Sequence, residues 1–271
     1  MPELPEVETV VRMIRPHLEG RTIVGSRVFW RPMVGEARFG DRVRGARIEG
    51  VQRRAKYILI ELDRGVLVGH LKMTGRMHVE PAGPALLPHT RVRLDLDDGN
   101  VFQFVDVRKF GRLRFAARAE DLLPDLGPEP LGDAFSVDWF RKALRGRNRM
   151  VKPLLLDQGF LAGIGNIYAD ESLHRARLHP MRSAARIPLH SAARLHAAIR
   201  EILTNAIERE GSTFDRFYRT PEGNPGSYQH QFQVYGRTGK PCRTCGRSIR
   251  RIVVGQRGTH VCPKCQPRPR R

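Results

Sequence analysis

The apolar positions of this chain change period twice, and those changes divide it. Val7, Val10, Val11, Ile14 and Leu18 recur at helical spacing, which predicts an amphipathic helix over residues 5–18 with Pro5 at its first position, where a missing N–H costs nothing. From about residue 22 to 115 the period shortens to two. Strands are predicted over TIVGSRVFW, KYILIEL, GVLVGHL, RVRLDLD and NVFQFVD, with turn signals at Asp63-Arg64-Gly65 and Asp98-Gly99-Asn100. Several antiparallel strands behind one helix point to a β-sandwich or barrel-like first domain.

A stretch rich in Pro, Gly and Asp, LLPDLGPEPLGD, marks a linker at 123–133, and helical periodicity follows it. SVDWFRKALRG opens on the capping residue Ser136, and GNIYADESLHRA follows a glycine-rich turn. Leu195, Ile199, Ile202, Leu203 and Ile207 form one face of a long helix with Gly211 expected at its C′ position. Residues 211–228 carry Gly, Pro and Ser in a long loop of the kind that covers sites. The expected organisation is α+β and multidomain: a sandwich over 1–122, a helical domain over 134–228 that includes this loop, and a cysteine-containing module over 229–271.

Charge narrows the partner. Lys and Arg number 48 against 28 Asp and Glu, a formal net charge of +20. From Gly223 to Arg271 there are eleven basic residues and no acid. A codon bias toward Arg would replace Lys, but it would not remove acids, so a polyanion is the expected partner. No apolar run approaches the roughly 20 residues needed to span a bilayer. The start, MPELPEVETV, is acidic and reads as neither signal nor transit peptide, so a cytosolic protein is expected.

All four cysteines lie near the end: Cys242 and Cys245, then sixteen residues, then Cys262 and Cys265. Two C-x2-C knuckles fit a four-thiolate zinc site that leaves no open position for water, hence a structural metal. Two disulfides would conflict with the expected compartment, and a redox dithiol would need one pair rather than two. Between the knuckles, RSIRRIVVGQRGTHV reads as a hairpin carrying Arg250, Arg251 and Arg257, suited to phosphates. At the other end, removal of Met1 would expose Pro2 as a secondary amine. An α-amine titrates near 8, about two units below lysine, so a useful fraction is nucleophilic at neutral pH. Glu3 and Glu6 are spaced to lie on one side of the helix start, where they could move protons or simply complement the helix dipole.

MPELPEVET, QRRAKY, HLKMTG, DVRKFG, GIGNIYADE, QVYGRTGKPC and QRGTHVCPKCQ occur in this order over nearly the whole chain. Together they resemble formamidopyrimidine-DNA glycosylase. The resemblance implies an N-terminal β-sandwich, a helix–two-turn–helix domain and a C-terminal zinc finger with one structural zinc. It also implies a monomer that acts on duplex DNA containing oxidised purines or abasic sites, followed by β,δ-elimination. By the same resemblance Pro2 is the nucleophile, Glu3 the proton donor for glycosidic cleavage, Lys56 the donor for β-elimination, and 211–228 a lesion-capping loop. Arg257 is the residue assigned to δ-elimination; because arginine is a poor acid, a clamp on the flanking phosphate is its expected physical role. Asn166, Lys152 and His70 are expected on the same phosphates, and His89, Arg108 and Arg147 on DNA, although relatives often carry Lys at position 147. Met73, Arg108 and Phe110 match the wedge that fills the gap left by a flipped nucleotide.

Two other readings use the same residues. A sister family, endonuclease VIII, shares the Pro2 chemistry and prefers oxidised pyrimidines, but PELPEVE and the Met/Arg/Phe wedge favour purines. A non-catalytic zinc-ribbon DNA-binding protein would also account for the charge and the cysteines.

Overall fold

Period-two segments in the first part of the chain pair into two antiparallel four-stranded sheets, ordered β1-β6-β7-β5 and β2-β3-β4-β8. The computed structural model describes residues 1–83, 86–213 and 218–269. Contacts divide the chain into two units, Met1–Pro124 with Arg209–Ser227, and Asp125–Glu208 with Tyr228–Arg271.

The first unit opens with α1 (Leu4–Leu18), followed by β1 (Ile23–Val28) and the short helices α2 (Arg31–Val34) and α3 (Phe39–Val43). Then come β2 (Ile48–Arg54), β3 (Tyr57–Leu62), β4 (Gly65–His70), β5 (Gly75–Pro81), β6 (Thr90–Leu96), β7 (Asn100–Asp106) and β8 (Arg112–Ala116). Strict alternation sets the inward faces: Ile58, Ile60 and Leu62 in β3, and Val92, Leu94 and Leu96 in β6, are buried in one core with Val7, Val11 and Ile14 of α1. This is the β-sandwich with a leading helix that the pattern implies. β4 is buried on both faces, because Leu122 and Leu123 pack with Val66 and Val68 on its outer side. The helix begins at Leu4 with Glu3 as N-cap, so Pro5 is its second residue rather than its first.

The second unit contains α4 (Val137–Arg145), α5 (Val151–Leu156), α6 (Asn166–Arg175) and α7 (Leu189–Glu208), and then the hairpin β9 (Arg250–Val254) and β10 (Arg257–Val261). Ser136 caps α4, its hydroxyl accepting the Trp139 N–H at 3.1 Å. Helices α6 and α7 bury Leu173, Leu195, Ile199 and Leu203. The β9–β10 turn is Gly255-Gln256, with φ +55° and +61°, the double positive φ that a tight hairpin requires. No described helix is long and apolar enough to cross a membrane.

Two boundaries differ from the sequence expectation. Gly211 is not the C′ residue of α7; the helix ends at Glu208, and Glu210 takes the left-handed conformation at φ +58°. Residues 209–227 also group with the first unit, whereas their sequence neighbours suggested the helical domain. The reason is a direct tie: the Ser212 N–H donates to Glu6 Oε1 at 2.7 Å, and a Cβ added at Gly211 would lie 2.7 Å from the same oxygen. Part of the expected capping loop, residues 214–217, lies outside the described residues.

Gly211 therefore meets two constraints, a φ of +74° and contact with a carboxylate. Gly211→Ala is expected to cost about 1–3 kcal/mol, the usual strain of a left-handed non-glycine residue. Denaturant unfolding of the full chain measures it; unchanged stability would show that the segment shifts freely.

Candidate active site and nucleic-acid interface

In the first unit, Pro2 and Glu3 are buried at the head of α1. Glu6, on the first turn and 2% exposed, turns back so that Oε2 accepts the Glu3 N–H at 2.8 Å. Its Oε1 accepts both the N–H and the hydroxyl of Ser212, at 2.7 and 3.1 Å. The two glutamates expected as a matched pair are thus different in setting: Glu6 holds the backbone of Glu3 and of the returning segment. Tyr218 completes this contact, its hydroxyl donating to the Glu210 carbonyl at 3.1 Å, and burial pushes its phenol well up.

Lys56 occupies the two-residue turn between β2 and β3, not a strand end, and Ala55 before it takes φ +53°. The turn tucks Lys56 down to 7% exposure. His70 ends β4 with its ring edge-on to Tyr57, centroids 4.7 Å apart. Burial, reinforced by the charges of Lys72 and Lys56, pushes its imidazole down to about 3, so the ring is neutral at neutral pH. Its Nδ1 accepts the Lys72 N–H at 2.9 Å, which places the ring proton on Nε2 as a donor for a partner oxygen.

The wedge residues come together. Arg108 NH1 lies 3.2 Å from Met73 Sδ, and its guanidinium stacks 4.8 Å above the Phe110 ring. Met73 and Phe110 are 37% and 45% exposed, so neither is a core residue. Their common support is Asp106, which is fully buried. Its Oδ1 accepts the Thr74 hydroxyl at 2.5 Å and the Arg108 N–H at 3.2 Å, its Oδ2 accepts the Gly111 N–H at 2.7 Å, and its own N–H donates to the His89 carbonyl at 3.1 Å. One side chain and its backbone therefore fix both wedge loops and exposed His89, itself at φ +67°.

In the second unit, Arg147 and Arg257 are exposed, as a phosphate contact requires. Asn166 is the first residue of α6, and its Nδ2 donates to the Gly258 carbonyl at 3.0 Å. Lys152 corrects the sequence reading. It is 0% exposed, ion-paired to Asp170 Oδ1 at 2.6 Å, and it donates to Thr259 Oγ1 at 2.7 Å and the Gly258 carbonyl at 3.2 Å. Burial of an ammonium demands such pairing, and it turns Lys152 from a phosphate ligand into a support for the hairpin tip. The four cysteine sulfurs lie within 4.8 Å of one another. Tetrahedral zinc with bonds of about 2.3 Å sets sulfurs about 3.8 Å apart, so they fit one structural zinc.

Several supporting residues were missed in the sequence: Asp106, Asp170, Glu171, Ser212 and Thr259. Glu171 is 1% exposed, and its carboxylate accepts the N–H groups of Gln233, Val234 and Tyr235 at 2.9, 3.0 and 2.8 Å. Asp106, Asp170 and Glu171 stand inside the motifs DVRKFG and GIGNIYADE, but nothing in a linear sequence marks a carboxylate as turned inward.

Asp106→Asn would set an amide NH2 against N–H and O–H donors. It is expected to destabilise the chain by about 1–3 kcal/mol, the cost of an unsatisfied buried group, and to slow nucleotide extrusion. Thermal melting and 2-aminopurine fluorescence on a lesion duplex read the two effects; wild-type values in both would refute the role. For His70, the folded pKa lies below the ordinary 6.5, so the stability it brings is complete above about 6.5 and is lost as the pH falls toward 3. The stability advantage of wild type over His70→Asn should shrink across that window, whereas a pH-independent difference would contradict it.

Three family models cover the chain. The N-terminal domain of formamidopyrimidine-DNA glycosylase matches residues 1–113, the H2TH domain of the same enzyme 126–217, and the zinc finger found in FPG and IleRS 239–268. The formamidopyrimidine-DNA glycosylase of Herpetosiphon aurantiacus is 47% identical over 273 residues, covering 98% of this chain and 100% of that protein. The Thermus thermophilus enzyme is 48% identical over 277 residues, with 98% of each chain covered. The crystal structure of the MutM (Fpg) protein from Thermus thermophilus superposes with a TM-score of 0.88 at 45% identity, covering 99% of this chain and 100% of that one. Lactococcus lactis Fpg bound to DNA containing N7-benzyl-Fapy-dG gives 0.90 at 36% identity, covering 98% and 100%. With family models matching its sandwich, its H2TH helices and its four-cysteine module, and a relative 47% identical over 98% of its length, the chain belongs to the formamidopyrimidine-DNA glycosylase family.

Proposed function

We propose that this chain is a bifunctional DNA glycosylase and abasic-site lyase of base excision repair, which removes 8-oxoguanine and formamidopyrimidines from duplex DNA and then cuts the strand by β,δ-elimination. The observation that carries the reading is the exposed trio Met73, Arg108 and Phe110, in which Arg108 touches both other side chains and is anchored on one buried aspartate. A soluble protein gains nothing by fixing Met and Phe outside its core; a protein that must hold open a base stack does. One relative, Lactococcus lactis Fpg, has been solved with DNA containing N7-benzyl-Fapy-dG and with abasic-site DNA, which supports the same partner.

The roles follow from the surroundings. Once Met1 is removed, the Pro2 amine attacks C1′ of the damaged nucleotide while Glu3 supplies the proton that lets the base leave. Loss of the proton from the attacking nitrogen and cleavage of the C1′–O4′ bond, with a proton taken up by O4′, open the sugar to an iminium, and because the amine is secondary this ion is cationic without further protonation. It acidifies C2′, and loss of that proton expels the 3′ phosphate, with Lys56 as the acid–base group for this step. Glu6 works by position, fixing the Glu3 backbone, rather than as a second proton shuttle. His70 Nε2–H, Asn166, Arg147 and Arg257 bind phosphates, His89 contacts the strand, and Arg108 pairs with the base left opposite the gap. Residues 211–228 cap the extruded base. One structural zinc, held by Cys242, Cys245, Cys262 and Cys265, makes the hairpin rigid; with +20 net charge the chain works as a monomer on nucleoid DNA in the bacterial cytoplasm.

Paired incision assays test the substrate class. A duplex with 8-oxoguanine opposite cytosine should be cut at least about tenfold faster than one with thymine glycol, a discrimination that one set of hydrogen bonds to a base edge can provide. The reverse order would assign the chain to pyrimidine repair, and no cutting of either would leave a DNA-binding protein.

A further inference from the structure

Asn166, Asp170 and His174 follow one another at i, i+4 spacing on α6, which puts all three on one face of the helix. Each touches a different level of the cysteine module. At the hairpin tip, Asn166 donates to the Gly258 carbonyl at 3.0 Å. Midway, Asp170 Oδ2 accepts the His260 N–H at 2.8 Å. At the far end, His174 Nε2 lies 3.6 Å from Cys242 Sγ, and the residue is 5% exposed.

The sulfurs of the cluster are served by different donors. Cys262 Sγ accepts the backbone N–H of Cys265 at 3.4 Å. At Cys242 the corresponding group is the imidazole of a separate helix. A separation of 3.6 Å suits an N–H···S bond, since sulfur is larger than the oxygen that sets the N–H···O distance at about 2.9–3.0 Å.

We propose that His174 is a positioning residue for the zinc, its Nε2–H donating to the Cys242 thiolate and so joining the metal to the α6 face that also holds the hairpin tip. Four thiolates on one divalent cation carry excess negative charge. A donor on one sulfur withdraws part of it, which makes that sulfur less basic and less reactive toward oxidants. Because loss of a structural zinc begins when a thiolate is protonated or oxidised, the bond slows the first step of that loss. The inference rests on the zinc assignment of the four cysteines and goes beyond it by naming the residue outside the ligand set that tunes one of them.

The test compares zinc-loaded, full-length wild type, His174→Gln and His174→Met. Gln offers an amide N–H close to the Nε2 position, while Met has similar length and no donor. Under dilute hydrogen peroxide, with a chromophoric chelator reporting released zinc, Met should lose metal about tenfold faster than wild type, and Gln should stay within about twofold, as expected for an outer-sphere ligand partner. In cobalt-substituted protein the sulfur-to-cobalt charge-transfer band should move to lower energy in the Met variant and not in the Gln variant. Nitrogen-15 shifts of wild-type His174 should place the ring proton on Nε2, a reading independent of how either variant folds. Equal release from Gln and Met, or a wild-type ring protonated only on Nδ1, would overturn the role of His174 while leaving the metal in place. A wild-type chain that carries no zinc would overturn the metal assignment as well.

Discussion

A buried carboxylate that collects backbone N–H groups is the interaction on which the working parts of this protein depend. Loops, turns and strand edges carry N–H groups that have no helix or sheet partner, and such groups are costly to bury unpaired. Four acids meet that need. Glu171 takes three successive N–H groups of residues 233–235. Asp106 takes two from the wedge loop, Asp170 takes that of His260, and Glu6 takes those of Glu3 and Ser212. In a chain with 48 basic residues against 28 acids, these few carboxylates are spent inward, on shape, and the cations are left for the strand.

This arrangement explains how an exposed wedge can be rigid. Met73 and Phe110 gain little from their own burial, so their loops are fixed from beneath by polar bonds to Asp106 rather than by packing. Rigidity matters because a base can be extruded only if something pre-shaped replaces its stacking. The same logic operates in the second unit at Gly258, whose carbonyl accepts from both Asn166 and Lys152 and so holds the turn bearing Arg257.

The alternating strands β3 and β6 and the amphipathic helices α1 and α7 could be read from the chain because one face of each is apolar throughout. β2, β5 and β8 could not. Their alternation is broken: β2 buries the adjacent Gly50 and Val51 beside a register shift, β8 buries Leu113 and Ala116 three residues apart, and β5 buries only Gly75 and Met77. Among site residues, the cysteines were legible from spacing alone, whereas Pro2 and the trio Met73, Arg108 and Phe110 are proposed from whole motifs. Lys152 was placed on phosphates by resemblance, and nothing in its own neighbourhood of the chain shows that it is internal; its partner Asp170, eighteen positions on, does. Glu6 was read as chemistry for the complementary reason: the Ser212 backbone that occupies it lies some two hundred positions further along the chain, at a separation of 206 residues.

The central claim is that the amine of Pro2 becomes covalently attached to deoxyribose. Borohydride reduction during turnover on an 8-oxoguanine duplex, followed by proteolysis and mass spectrometry of the adduct, tests it directly. The account predicts a sugar remnant on a peptide that begins at Pro2 and lacks Met1. An adduct on Lys56 or another lysine, or full excision by protein that retains Met1, would contradict it.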